Sequence, residues 1–171
     1  MHKYKNNVMF FCYLCQRCNT TINHKQHNNM SINDIQDEII DEFEGLTDWM
    51  DRYAYIIELG GQLPPIAESL KTPENLIEGC QSRVWIHARL NDEGQIVFEA
   101  DSDAMIVKGI VALLLRVLSA QKPEDILDSE LYFIDNIGLK EHLSPTRSNG
   151  LVAMVKQMRM YALAFKTLKG N

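Results

Sequence analysis

Fifteen consecutive residues, Ala104 to Leu118, carry only two charges, Lys108 and Arg116, and this run limits the possible folds more than any other feature. Wound as a helix it is apolar on nearly every side, so other elements have to enclose it. It is also well short of the roughly 20 residues needed to cross a bilayer. The chain therefore reads as a globular protein organised round a central helix. Its 171 residues and 19.6 kDa suit one domain with a real core. An apolar fraction of 46% with 23% charged residues excludes a chain that is disordered throughout. The net charge of -6 has the wrong sign for neutralising many phosphates, so nucleic acid is not an expected partner.

The elements that enclose the central helix are written on either side of it. From Arg83 to Leu90 the chain alternates, with Val84, Ile86, Ala88 and Leu90 on one face and Arg83, Trp85, His87 and Arg89 on the other. Asn91-Asp92-Glu93-Gly94 supplies a turn, and Ile96, Phe98 and Ala100 resume the alternation, which predicts an antiparallel hairpin. Asp101-Ser102-Asp103 offers a cap for the central helix. Upstream, Ile32, Ile35, Ile39, Ile40 and Phe43 keep helical spacing to Gly45. Trp49, Tyr53, Ile56 and Ile57 repeat it as one buried face between Thr47 and the Gly60-Gly61 pair, capped by Thr47 or Asp48. Leu63-Pro64-Pro65 forces an extended turn. Downstream, Glu124 to Leu127 suggests a short helix after Pro123, and Leu131 to Ile137 stays open in type. A long last helix buries Leu151, Met154, Val155, Met158, Ala162, Phe165 and Leu168, preceded by residues 144 to 150 and ended by Gly170. The sum is an α+β domain with a small antiparallel sheet, a hairpin or three strands, covered by helices.

Charge and cysteine both divide the chain near Met30. Residues 1 to 29 hold Lys3, Lys5, Arg17 and Lys25 with no acid, whereas residues 30 to 171 hold 13 basic against 23 acidic residues, a net of -10. Residues 1 to 29 are expected to be a basic, disordered extension, with Met30-Ser31 able to begin a fully patterned protein. Their Cys12, Cys15, Cys18 and His24 are soft ligands that suit zinc, but the intervening hairpin length usual between ligand pairs is missing. Val8 to Leu14, behind Lys3 and Lys5, is at the short end for a secretory core, and no small-residue cleavage site follows it.

The domain from 30 to 171 has one thiol, Cys80, in the loop Glu78-Gly79-Cys80-Gln81-Ser82 just before the first strand. A disulfide framework is therefore excluded there. A cysteine at a turn, outside any apolar periodicity, can present its sulfur to another molecule. A buried, inert cysteine is the competing reading. A Cys-His catalyst, such as a small peroxidase or acyltransferase, requires a histidine within hydrogen-bond reach. Only His87 and His142 are available, and His87 lies seven residues on, roughly 23 Å if the chain is extended. One thiol is too few to hold an iron-sulfur cluster. It is enough to carry a sulfur atom as a persulfide.

Four ordered blocks carry a resemblance. Glu78-Gly79-Cys80-Gln81-Ser82-Arg83-Val84-Trp85, Ser102-Asp103-Ala104-Met105-Ile106-Val107-Lys108-Gly109, Ser144-Pro145-Thr146-Arg147-Ser148-Asn149-Gly150-Leu151 and the earlier Tyr55 to Gly60 with Leu63-Pro64 are similar to the SufE family of cysteine-desulfurase sulfur acceptors. The similarity covers residues 32 to 168. It implies a fold like that of the IscU scaffold and a non-enzymatic carrier and activator. Cys80 would accept persulfide sulfur from a SufS-type desulfurase, whose pyridoxal phosphate stays with that partner, and would pass it to a SufBCD-type scaffold for iron-sulfur cluster assembly in the cytoplasm. A homodimer is left open. Gly79 would let the loop swing. Gln81, Arg83, Asp103 and Arg147 are the loop and partner-facing candidates, with Arg147 favouring an anionic sulfur and Asp103 acting as a helix cap or a docking contact. Trp85 and Arg89 are secondary docking candidates. The basic tail, and Thr146 where serine is common, depart from the family pattern.

Overall fold

The computed structural model describes residues 30–169. The elements run α1 (Ile32–Glu44), α2 (Trp49–Gln62), two short 3-10 turns (Glu68–Leu70 and Pro73–Asn75), β1 (Val84–Leu90), β2 (Ile96–Ser102), α3 (Met105–Leu118), α4 (Pro123–Asp128), α5 (Phe133–Asn136), α6 (Leu139–His142) and α7 (Pro145–Lys169). None of the helices among the described residues is long and apolar enough to cross a membrane.

The hairpin forms as its alternation requires. β1 and β2 pair antiparallel from Val84 opposite Ser102 to Leu90 opposite Ile96, and Asn91 accepts the Glu93 and Gln95 backbone N–H groups to close the turn. Val84, Ile86, Ala88, Ile96, Phe98 and Ala100 are buried on the inner face. Among the described residues the sheet has two strands. Its outer edges take single bridges, Leu76 to Trp85 and Gln121 to Ile96, in place of a third strand.

Helix α3 occupies the centre, with ten of its residues, among them Val107, Ile110, Leu114 and Leu118, buried. It lies against α1, α2, β2 and α7. Its closest neighbour is α2, because Gly60 and Gly109 let the two backbones meet. A Cβ at Gly60 would stand 2.6 Å from the Gly109 nitrogen, and one at Gly109 would collide with the Ile56 carbonyl. Arg116 ties α3 to α1 by bonding both Glu42 carboxylate oxygens, at 2.6 and 2.7 Å. The fully buried Gln36 of α1 donates to the Glu130 carbonyl at 2.9 Å and accepts from the Phe133 N–H at 3.2 Å, fixing the start of α5.

Four expectations need correction. No side chain of the acidic triplet caps α3, whose N-cap is Ala104. Asp101 is taken by Lys108 and Lys71, at 2.8 and 3.2 Å, and Asp103 by Arg83. In α2, Ile56 and Gly60 are buried but Trp49, Tyr53 and Ile57 are only half-buried. Trp49 stacks on His142 with ring centroids 3.7 Å apart, and Tyr53 donates to the His142 carbonyl, so these aromatics hold α6 to the outside of α2. Helix α7 begins at Pro145, so residues 145 to 150 are its opening turns and do not precede it. Proline is well suited to a first helical position, where a missing N–H costs nothing. Finally, the buried face of α7 stops at Ala162. Val155 and Phe165 are half-buried and Leu168 is 71% exposed, because the helix runs past the packed body. The ambiguous stretch 131 to 137 contains α5.

Candidate functional site

Between Ile77 and Arg83 the chain leaves the body of the protein. The Ile77 N–H donates to the Val84 carbonyl, which pins one end. At the other end Arg83 donates its backbone N–H and its Nε to the two carboxylate oxygens of Asp103, each at 3.0 Å, and the Asp103 N–H donates to the Arg83 carbonyl. Among the described residues no backbone hydrogen bond joins the intervening five residues to the body. Gly79 sits at φ 85° with open space round its Cα, a conformation that suits glycine and strains other residues.

Cys80, the sole cysteine among the described residues, hangs from this loop with its thiol turned inward and half-buried. The S–H donates to the Gly150 carbonyl of α7 at 3.6 Å. Beside it lies a cavity of about 100 Å³ lined by Val107, Ile110 and Met154 from the core and by Gln81, Ser82, Thr146 and Arg147 nearer the surface. Burial pushes the Cys80 thiol above its ordinary value, so the neutral form is the resting one at neutral pH. The loop thus withdraws the sulfur from solvent and damps its nucleophilicity, because the thiolate is the reactive species.

The candidate residues gather on one side of the protein, though in different ways. Gln81 and Arg147 line the Cys80 cavity, both with exposed side chains, and Arg147 makes no ion pair among the described residues. Arg83 and Asp103 do not line it; they form the exposed clasp at the loop's base. Trp85 is half-buried, with the Arg83 guanidinium and the Lys71 ammonium each 5.7 Å from its ring centre. Behind it, burial acts to raise the Asp101 carboxyl, but hydrogen bonds from Lys108 and Lys71 outweigh this and hold it below the usual carboxylate range. Arg89 is exposed and pairs with Glu99 at 3.8 Å, further along β1.

His87 faces Glu99 across the hairpin and His142 stacks on Trp49, and neither lines the cavity. Among the described residues no group of three or more His, Cys, Asp or Glu side chains is placed to hold a metal ion. Cys12, Cys15, Cys18 and His24, like the whole extension of residues 1 to 29, lie outside the described residues. Sequence reasoning overlooked Gly150 as a partner of Cys80, 70 residues away. The one available signal was a glycine set immediately before the apolar helical repeat that begins at Leu151.

Comparison with known proteins identifies the family. The SufE profile, described as an Fe-S metabolism associated domain, matches residues 37–162. An uncharacterized SufE-like protein of Rhizobium etli is 49% identical over 127 residues, which cover 72% of this chain and 86% of that relative. The solution structure of a hypothetical protein from Thermus thermophilus superposes with a TM-score of 0.65 at 22% identity, covering 78% of this chain and 96% of that one, and so shares the fold. A match over so much of the domain shows that the chain belongs to the SufE family, a family of iron-sulfur metabolism.

Proposed function

We propose that the protein is a sulfur carrier that takes a persulfide sulfur onto Cys80 from a SufS-type cysteine desulfurase, stimulates that enzyme, and hands the sulfur to a SufBCD-type scaffold in the cytoplasm. The observation that carries this reading is a single half-buried thiol on a loop held at both ends and, among the described residues, joined to the body between them by one weak S–H bond. Such a loop can shield a sulfur at rest and offer it to another protein. Pyridoxal phosphate belongs to the desulfurase, and this chain is assigned no cofactor of its own.

The transfer is a thiol-disulfide type displacement. The Cys80 thiolate attacks the outer sulfur of the partner's cysteine persulfide. A new S–S bond forms at Cys80, the partner's S–S bond breaks, and its electron pair leaves on the partner's cysteine as thiolate. Cys80 ends as the perthiol, and no oxidant or reductant is consumed. In the seated loop Cys80 is held neutral by burial, so the loop must lift before the thiolate forms at useful concentration. Arg147, exposed and lining the cavity, is the residue we assign to favour an anionic sulfur once the loop lifts, and Arg83, Asp103 and Trp85 offer a polar and aromatic docking surface beside the loop.

The test mixes the protein with a SufS-type desulfurase, pyridoxal phosphate and free cysteine. The Cys80 peptide should gain the mass of one sulfur atom, and sulfide release under reducing conditions should rise. Both effects should vanish in Cys80→Ser. A Cys80→Ser protein that stimulates the desulfurase as well as the parent does would overturn sulfur transfer through this thiol.

A further inference from the structure

Gly150 lies in the second turn of α7, inside a helix, where glycine is the least favourable residue after proline. It is not among the residues with positive φ, so backbone freedom does not account for it. What accounts for it is space. A Cβ added there, its own helix backbone aside, would meet only Cys80, with Sγ at 3.1 Å and Cβ at 3.9 Å. The same residue's carbonyl accepts the Cys80 S–H. The missing side chain and the carbonyl together make a seat that fits one sulfur.

From this we infer that Gly150 is a positioning residue for Cys80, and that the size of the side chain at 150 sets how far the thiol is withdrawn between encounters. The two sides of the contact differ in how they can yield. Helix α7 is anchored just after Gly150 by the buried Leu151, Met154 and Met158, and the chain leading into it is anchored by the buried Leu143. The loop is held only at its ends, with Gly79 free to pivot. A methyl at 150 stands a few tenths of an ångström inside ordinary contact with the sulfur, and the loop is the partner that gives way. The thiol then moves outward, regains contact with water and ionises more readily. A bulkier side chain displaces it further.

The exposure of the thiol follows from the contact alone; its effect on sulfur transfer rests on the carrier reading above, and the two are separable. Alkylation of the full chain by iodoacetamide, followed on the Cys80 peptide by mass spectrometry across a pH series, needs no desulfurase. Gly150→Ala should alkylate several-fold faster at neutral pH with the profile's midpoint moved down, and Gly150→Val more so. Alanine should leave the melting temperature unchanged or raise it. A merely structural glycine would instead lower the melting temperature and leave the alkylation midpoint where it was, and unchanged rates and midpoints in folded variants overturn the inference. If the valine variant does not fold, a cycle decides. Gly150→Ala should raise the melting temperature more in a Cys80→Ala background than in the parent, and an equal rise in both overturns the inference. With a desulfurase present, Gly150→Ala should lower the carrier concentration for half-maximal stimulation. If Cys80→Ser still stimulates normally while the Gly150 series frees the thiol, the carrier reading fails and the seat stands.

Discussion

Replacing Gly109 by alanine places a methyl group on the Ile56 carbonyl, with the Ile56 carbonyl carbon and Cγ2 both only 2.6 Å from the new atom. Carbon-carbon contact is comfortable near 3.5 Å or beyond, so the overlap is about 1 Å. The carbonyl is part of a helix backbone and cannot rotate away, so α2 and α3 have to part by a similar distance. That loosens a seam at which Ile56 and Ile110 are essentially sealed from solvent. Overpacking ordinarily costs about 1–3 kcal/mol, and a backbone clash belongs at or above the top of that range, about 3–4 kcal/mol. The helix gains about 1 kcal/mol from alanine in place of glycine, which leaves a net loss of about 2–3 kcal/mol. For a domain of this size each kcal/mol moves the midpoint by about 3–4 °C, so melting followed by circular dichroism should fall by about 6–12 °C. Gly61→Ala is the control, since an added Cβ there meets nothing within 4 Å and the substitution should cost nothing. A Gly109→Ala protein as stable as the parent refutes the close approach, and with it the account of why α2 carries Gly60.

Two further outcomes are expected. Because burial disfavours the thiolate, alkylation of Cys80 in the parent protein should rise with pH through a midpoint above that of the urea-denatured chain. The linked stability runs the same way: the folded state's preference for the neutral thiol contributes fully below the ordinary thiol pKa and is lost as pH rises through the folded value. A midpoint below the denatured one would mean that a nearby cation, and not burial, governs the sulfur. Gln36→Leu keeps a similar volume but strands the Glu130 carbonyl and the buried Phe133 N–H. It should cost about 2–3 kcal/mol in urea unfolding, and a neutral result would show that water replaces the amide.

Much of the fold was legible because its signals are local. The period-two alternation of Val84 to Leu90 and Ile96 to Ala100 gives the hairpin, and the near-absence of charge in 104 to 118 gives the buried centre. What stayed hidden depends on partners far along the chain. Asp101 looks like a cap until Lys71, 30 residues earlier, is folded against it beside Lys108. Trp49 and Tyr53 look like core until His142 arrives to stack on them. The Ser-Pro-Thr-Arg-Ser-Asn-Gly stretch looks like loop because its composition is that of turns, yet Pro145 opens a helix there. Cys80 was conspicuous as a thiol outside any apolar repeat. Its seat was not, since no pattern in residues 145 to 155 announces which turn will face a loop 70 residues away.

The clasp of Arg83 with Asp103 and the anchor at Ile77 also set a leash. Cys80 stands three residues from either fixed end, and three residues at full stretch span only about 10 Å. The sulfur can therefore nod outward but cannot travel. Any molecule that trades an atom with it has to press its own reactive group close against this corner of the protein, so cargo moves by the approach of whole proteins and the loop covers only the final step.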